Sequence, residues 1–265
     1  MIDFRNKSRY DASDLVELMR VLRGPEGCPW DREQTHKSIR RNLLEEAYEA
    51  ASAIDEENSQ ELLEELGDIL LQVIFHADIA KDNGRFNLDD VIDATCKKLL
   101  RRHPHVFGNI NVSSGQESLD VWEDIKRSEK RHETVAEAMD SVARALPALW
   151  RAEKIQKKAG KVGFDWPDYT GALSALHSEL SEMESAIETG DNETIYEELG
   201  DLLFSVVNTA RFFNIDPEDA LNTSCDKFTS RFKCLEEMAT QQNKKLPDMT
   251  LDEMEILYQK SKLEK

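Results

Sequence analysis

Two segments of the sequence repeat each other at a constant offset of 133 residues. Residues 42–75 align with residues 175–208 without gaps, and 13 of the 34 aligned positions are identical. The identical positions include two pairs of acidic residues per segment, and the members of each pair are three positions apart. The pairs are Glu46/Glu49 and Glu65/Asp68 in the first segment, and Glu179/Glu182 and Glu198/Asp201 in the second. A repeat of this kind predicts that the chain folds as two copies of one structural module.

The acidic pairs predict helices, because residues three apart in a helix lie on one face. In the first copy we expect helices over residues 32–54 and 59–81, with Ser59 as the N-cap of the second. A short polar break separates the pairs in each copy, at residues 55–59 and 189–192. The two helices should therefore form an antiparallel hairpin in which four carboxylates converge. Since no alternating strand pattern occurs, the predicted fold class is all-α.

The repeat extends beyond the acidic segments with a slightly shifted register. Residues 96–102 correspond to residues 225–231, and the pair Trp122/Lys126 corresponds to Tyr258/Lys262. The polar segment from Ser128 to Thr134 separates the two copies. We therefore predict an N-terminal domain of residues 1–130 and a C-terminal domain of residues 131–265.

The composition excludes several classes of partner. The formal net charge is −19 over 265 residues, which argues against a nucleic-acid polymer or an anionic membrane as the main partner. The four cysteines are scattered without metal-ligand spacing. The longest apolar run, from Ile69 to Phe75, is far too short to span a bilayer. We expect a cytoplasmic protein.

Four converging carboxylates are typical of a site for Mg²⁺, with Mn²⁺ as a second possibility, because both ions prefer oxygen ligands in octahedral geometry. No EF-hand loop for Ca²⁺ is present. A di-iron centre would need Glu-x-x-His on two helices. That spacing occurs at Glu33 and His36 and is not repeated in the second copy, so the di-iron reading ranks below magnesium.

A single Glu-x-x-Glu in so acidic a chain would indicate only a solvated helix face. Here Glu65 follows Glu49 by 16 positions, and Glu198 follows Glu182 by the same number. Glutamates that only face solvent would not need to keep this spacing, so the repeated spacing favours a functional role. Gly67 recurs as Gly200. Because glycine inside a helix is about 1 kcal/mol less favourable than alanine, its recurrence suggests close helix packing beside the acids.

Basic and aromatic residues follow each acidic hairpin at repeated spacings. Metal-bridged carboxylates, several cations and an aromatic ring are what a nucleoside polyphosphate needs, since cations bind its phosphates and a ring can stack on its base. No P-loop motif is present. The repeated residues are Lys98, Arg102, Trp122 and Lys126 in the first copy and Lys227, Arg231, Tyr258 and Lys262 in the second.

These features resemble the MazG family of nucleoside triphosphate pyrophosphohydrolases, in its two-domain bacterial form. Besides the acidic sets, the distinctive stretches are residues 27–31, residues 101–108 and residues 161–166. The resemblance implies an all-α fold in which four-helix cores hold Mg²⁺ and subunits form homodimers. It also implies hydrolysis of NTPs and dNTPs to the monophosphate and pyrophosphate, as house-cleaning or control of nucleotide pools.

The resemblance also assigns roles to residues of this chain. The metal ligands would be Glu46, Glu49, Glu65, Asp68, Glu179, Glu182, Glu198 and Asp201. Phosphate contacts would come from Lys98, Arg102, Lys126, Lys227, Arg231 and Lys262, and base or sugar contacts from Trp122 and Tyr258.

The two copies differ at positions that bear on catalysis. Tyr258 stands where tryptophan is common, and Ser178 stands opposite Glu45, so Glu45 cannot be an essential base in both copies. Glu64 and Glu197 remain candidates for orienting the attacking water. An alternative function is that one or both domains bind a nucleotide or alarmone as a regulatory module without turnover. The sequence leaves open whether both copies are catalytic.

Overall fold

The structure, a computed structural model, describes residue 4, residues 6–130 and residues 134–263. The chain divides into two compact units, residues 1–130 and residues 131–265. Every regular element in the described residues is a helix, and no strand occurs among them. The predicted all-α fold class is therefore confirmed. None of the described helices combines the length and the apolar character that a membrane-crossing segment requires.

The first unit is arranged around one long helix, α4, which packs against α1, α3 and α5. The helices of this unit are α1 (Ala12–Arg23), α2 (Pro29–Glu33), α3 (Arg40–Asp55), α4 (Ser59–Asp82), α5 (Leu88–Arg102), α6 (Pro104–Phe107) and α7 (Gly115–Lys130). Its buried core consists of Met19, Ile39, Ile74, Phe75 and Ile79. The core thus lies between α1 and the C-terminal half of α4, so the N-terminal half of α4, which carries Glu65 and Asp68, lies outside it.

Arg23 fixes the end of α1 against its neighbours. Its Nε donates to Asp78 Oδ2 of α4 at 2.7 Å, and its Nη1 donates to the carbonyl oxygen of Asp31 at 2.9 Å. The side chain is only 6% exposed, and its guanidinium lies over the ring of Phe75. One buried cation therefore ties α1, α2 and α4 together.

The predicted hairpin of acidic helices is present as α3 and α4, which form the main helix contact of the unit. Its first helix starts at Arg40 and not at residue 32, so that part of the prediction was wrong. Pro29 begins the separate helix α2. A turn follows in which the backbone N–H of Thr35 donates to Ser38 Oγ at 2.9 Å and the backbone N–H of Ser38 donates to Thr35 Oγ1 at 3.2 Å. Such local side-chain hydrogen bonds compete with helix formation.

The turn between α3 and α4 also differs from the prediction in one detail. Asn58, not Ser59, caps α4, and its side chain accepts a hydrogen bond from the backbone N–H of Glu61 at 3.3 Å. Glu57 in this turn has a φ of +53°, in the left-handed region. The chain therefore reverses direction within three residues.

The second unit has a corresponding central helix, α11, which packs against α9, α10 and α12. Its helices are α8 (Val135–Asp140), α9 (Ala148–Gly160), α10 (Tyr169–Thr189), α11 (Asn192–Phe212), α12 (Pro217–Gln241) and α13 (Leu251–Ser261), with a 3₁₀ helix at Leu246–Asp248. Gly190 ends α10 with a φ of +72°, and Asp191 caps α11. Helices α10 and α11 thus form the second acidic hairpin.

Each central helix carries an apolar row on its outward side, which we call the outer stripe. The stripe consists of Leu63, Leu66, Gly67, Leu70 and Val73 in α4, and of Tyr196, Leu199, Gly200, Leu203 and Val206 in α11. The large side chains are exposed, up to 68% for Leu63 and 82% for Tyr196. A Cβ at Gly67 or Gly200 would meet no atom within 4 Å. The expected close helix packing at these glycines was therefore wrong within the described chain, because the stripe faces outward.

Candidate functional site

Three carboxylates from the first hairpin meet in one small volume. Glu46 and Glu49 lie one turn apart on α3, and Glu65 faces them from α4. One carboxylate oxygen from each lies within 4.8 Å of the others. Glu46 and Glu65 are half-buried, whereas Glu49 is exposed. We call these residues the first acidic trio.

The first acidic trio is electrostatically unfavourable on its own. Burial raises the pKa of Glu46, and the negative charges of Asp68, Glu49 and Glu65 raise it further. Burial also raises the pKa of Glu65, followed by the charges of Glu49 and Asp68. Glu65 Oε2 is buried and accepts no hydrogen bond from any of the described residues. A cation with a preference for oxygen ligands would satisfy this oxygen and remove the repulsion, so the residues fit a hard divalent metal ion.

The second hairpin forms an equivalent group, the second acidic trio, from Glu179, Glu182 and Glu198, again with ligand oxygens within 4.8 Å. Burial is the main cause of the raised pKa of Glu179 and of Glu198. The copies differ at the residue that precedes the first member of each trio. Ser178 Oγ donates to Glu182 Oε1 at 2.9 Å, whereas the matching Glu45 pairs with Arg41 at 2.6 Å.

The remaining acids of the prediction lie beside the trios. Asp68 and Asp201 are close enough to raise the pKa values of trio members, but neither belongs to a group within 4.8 Å. Glu64 and Glu197 are exposed, one residue before the trio members of α4 and α11. Each is offset from the trio member that follows it by the 100° that separates successive helix residues.

The structure brings three residues of the predicted phosphate and base contacts together in the first unit. Arg102 Cζ lies 5.2 Å from the centroid of the Trp122 ring, and Lys126 Nζ lies 4.5 Å from the same ring. Lys98 is exposed on α5, one turn before Arg102. Lys98 and Arg102 therefore lie on a helix, α5, that packs against α4, the helix that carries Glu65, whereas Lys126 lies on α7.

The second unit repeats part of this arrangement. Lys262 Nζ lies 5.2 Å from the centroid of the Tyr258 ring, and the ring of Phe228 packs against Tyr258 at a centroid distance of 5.7 Å. Arg231 is half-buried and Lys227 is exposed, both on α12. In both copies a lysine four residues after an aromatic residue stacks on it, as a cation–π contact requires.

Sequence reasoning missed Glu129, which completes the group in the first unit. Its carboxylate accepts a hydrogen bond from Arg102 Nε at 2.9 Å, a second from Arg102 Nη2 and a third from Arg101 Nε. The two arginines lower the pKa of Glu129 to about 2. Helical spacing could have found it, because Glu129 follows Trp122 by seven residues and Lys126 by three, on the same face.

Comparison with known proteins finds one domain family in both halves of the chain. The sequence pattern of the MazG nucleotide pyrophosphohydrolase domain matches residues 34–107 and residues 169–235. These segments contain both acidic hairpins and the cations of α5 and α12, while Trp122 and Tyr258 lie outside them.

Full-length relatives extend the match to almost the whole chain. A Thermotoga maritima protein named nucleoside triphosphate pyrophosphohydrolase/pyrophosphatase MazG is 45% identical over 249 residues, which are 94% of each chain. The Escherichia coli K12 nucleoside triphosphate pyrophosphohydrolase is 40% identical over 251 residues, 94% of this chain and 95% of that protein. An uncharacterized Bacillus subtilis protein, YabN, is 45% identical over 96% of this chain and 52% of its own length.

The fold and the two trios define an all-helical protein with two carboxylate clusters that could each hold a metal ion. The family match and the full-length relatives make the identification specific: the chain belongs to the MazG family.

Proposed function

We propose that the protein hydrolyses nucleoside triphosphates, NTPs and dNTPs, between the α- and β-phosphates, and that it thereby controls nucleotide pools. The observation that carries the proposal is the pair of acidic trios, each in a unit that also contains a cation–aromatic group. The names of the Thermotoga and Escherichia coli relatives support the same reaction. Each unit would be one MazG-like domain, residues 1–130 and residues 131–265.

The metal would be Mg²⁺, with Mn²⁺ as a possible substitute. The ligands would be Glu46, Glu49, Glu65 and Asp68 in the first unit, and Glu179, Glu182, Glu198 and Asp201 in the second. When bound, such an ion neutralises phosphate oxygens and lowers the pKa of a coordinated water. The fit rests on the carboxylate donors and on the unpartnered Oε2 of Glu65.

The other residues would hold and cleave the substrate. Lys98, Arg102 and Lys126, or their counterparts Lys227, Arg231 and Lys262, would neutralise the polyphosphate. Glu64 or Glu197 would accept a proton from the water that attacks the α-phosphorus. The bond from that phosphorus to the bridging oxygen then breaks, and pyrophosphate leaves with the electron pair. Trp122 and Tyr258 would contact the base or sugar.

The active form would be a homodimer. The outer stripe of each unit exposes leucines and valines in a row along a central helix, and exposed apolar patches of this kind mark protein interfaces. The glycine in the middle of each stripe has open space in front of it, which would let a partner helix approach closely. A second copy of the chain would cover both stripes by symmetry.

A product assay tests the proposal. The purified chain, incubated with a panel of dNTPs and NTPs and Mg²⁺, should release pyrophosphate and the nucleoside monophosphate. Substitution of both Glu65 and Glu198 by alanine should abolish the release, whereas Glu17→Gln, an exposed glutamate of α1, should leave it unchanged. Release of orthophosphate instead, or full activity of the double variant, would contradict the assignment.

A further inference from the structure

The ion pair between Arg102 and Glu129 occupies an arginine that the proposed reaction needs for phosphate. Glu129 Oε2 accepts from both Nε and Nη2 of Arg102. The two side chains are only 14% and 18% exposed, so water screens the pair weakly. The guanidinium is also held over Trp122. Arg102 is therefore fixed in place, with one edge of its planar group already bound.

A carboxylate on this edge is a chemical substitute for a phosphate. Arginine binds both groups in the same way, through two parallel N–H···O hydrogen bonds from one side of the guanidinium. Since the pKa of Glu129 is lowered to about 2, its carboxylate is charged at every pH at which the protein would work. A phosphate can reach these donors only by displacing Glu129.

The second unit lacks this ion pair in its described residues. Arg231, the counterpart of Arg102, forms no salt bridge with any described residue. The repeat aligns Arg101 with Ser230, and it aligns Glu129 with position 265, which is a lysine and lies outside the described residues. A displaceable carboxylate is thus a feature of the first unit alone, as far as the described chain shows.

We infer that Glu129 is a specificity-determining residue of the first unit, because it occupies the phosphate position on Arg102 and competes with the polyphosphate of a nucleotide for it. This inference rests on the proposed function, since it takes Arg102 as a phosphate contact. It predicts that the first unit binds nucleotides more weakly than Arg102, Trp122 and Lys126 alone would allow.

Binding by the first unit can be measured in the full-length chain with Glu198→Ala, which disables the acidic trio of the second unit. The probe is α,β-methylene ATP with Mg²⁺, and isothermal titration calorimetry measures its dissociation constant. Glu129→Gln in this background should tighten binding about tenfold, and AMP, with fewer charges to compete, should gain less. Glu17→Gln removes one exposed charge from the same unit and should leave both affinities unchanged.

Whether Glu129→Gln raises or lowers the affinity for the analogue decides between competition with phosphate and a merely structural ion pair. If Glu129 only held α5 against α7, its replacement would weaken binding or leave it unaltered, and either result would overturn the inference. Failure of the first unit to bind the analogue in both proteins would overturn it as well. Glu129→Asp keeps the charge on a shorter side chain and should give an intermediate affinity, which provides a test if Glu129→Gln fails to fold. The proposed function fails separately, if the wild-type chain releases no pyrophosphate.

Discussion

His36 and His76 lie with their Nδ1 atoms 2.8 Å apart, and their rings are nearly parallel, at an angle of 12° and a centroid distance of 5.1 Å. His36 belongs to the turn that precedes α3, and His76 lies on α4. A hydrogen bond between two Nδ1 atoms requires one ring to donate and the other to accept. At least one of the two imidazoles must therefore be neutral in the folded protein.

This contact predicts a loss of stability in mild acid. Burial, and then the neighbouring His36, lower the pKa of His76 below its usual 6.5. In the unfolded chain the His76 imidazole therefore binds a proton near pH 6.5, whereas in the folded chain it stays neutral to lower pH. The free energy of unfolding should fall as the pH drops below 6.5. Urea denaturation between pH 7.5 and 5.5 measures this change.

The acidic trios have the opposite effect on stability, because their raised pKa values make the folded chain more stable as the pH falls. A variant must therefore isolate the contribution of the histidines. The pH dependence of His76→Gln, subtracted from that of the wild type, removes the carboxylates that both proteins share. The difference should show wild-type stability decreasing with acidity. A flat difference would mean that the two rings do not share a proton in solution.

Replacing Glu65 by glutamine should have opposite effects with and without a metal. In EDTA, Glu65→Gln removes one of three mutually repelling carboxylates and should raise the melting temperature. In Mg²⁺ the wild type should gain stability, about 2.7 kcal/mol when the ion is at 100 times its Kd, whereas the variant should gain much less. Thermal denaturation under both conditions measures the crossover.

The repeat supplies an internal comparison for this experiment, because Glu198→Gln makes the same change in the second trio. Glu17→Gln is the control for loss of one surface charge. A lower melting temperature of Glu65→Gln in EDTA would show that the first trio is not strained by its charges.

Removing the stacked lysine of the second unit should weaken substrate binding. In a Glu65→Ala background, where only the second trio is intact, Lys262→Ala should raise KM about tenfold or more, because hydrogen bonds to charged groups contribute about 1.5–3 kcal/mol. Lys260→Ala removes an exposed charge from the last turn of α13, two residues before Lys262, and should not change KM. Steady-state pyrophosphate release gives both values, and equal effects of the two variants would argue against a direct contact.

Introducing charge into the outer stripe should dissociate the dimer. Leu70→Glu combined with Leu203→Glu places one buried carboxylate per unit in the proposed interface, so the molar mass from light scattering should fall to that of one chain. Leu251→Glu changes a leucine that is 76% exposed on α13 and should leave the mass unchanged. An unchanged mass for the double variant would exclude the stripe as the interface.

The acidic hairpins could be predicted from the sequence because local periodicity and a repeat at fixed offset act together. The spacing of Glu46, Glu49 and Glu65 defines both a helix face and the distance between helices, so their proximity followed from chain geometry. Asp68 was assigned to the same group by spacing, yet it lies beside the trio.

Features that depend on long-range contacts could not be predicted. The contact between His36 and His76 joins residues 40 positions apart, and no local pattern connects them. The predicted start of α3 at residue 32 was wrong because the backbone N–H groups of Thr35 and Ser38 bond to each other's side chains and form a separate turn before the helix. The recurrence of Gly67 predicts close helix packing, but Gly67 lies on an outward face. Which face of α4 turns outward depends on where the core forms, and that is a long-range property.

The turn between α3 and α4 and the turn between α10 and α11 share one backbone property. Glu57 and Gly190 occupy the same position of the repeat, 133 residues apart, and both have a positive φ, +53° and +72°. A side chain in this conformation is unfavourable by about 1 kcal/mol, and glycine avoids that penalty. Duplication has therefore preserved the handedness of the turn while the residue changed. The alignment of each set of acids therefore depends on the length of its turn, because one residue more or fewer at that point would turn Glu65 or Glu198 away from its partners by 100°.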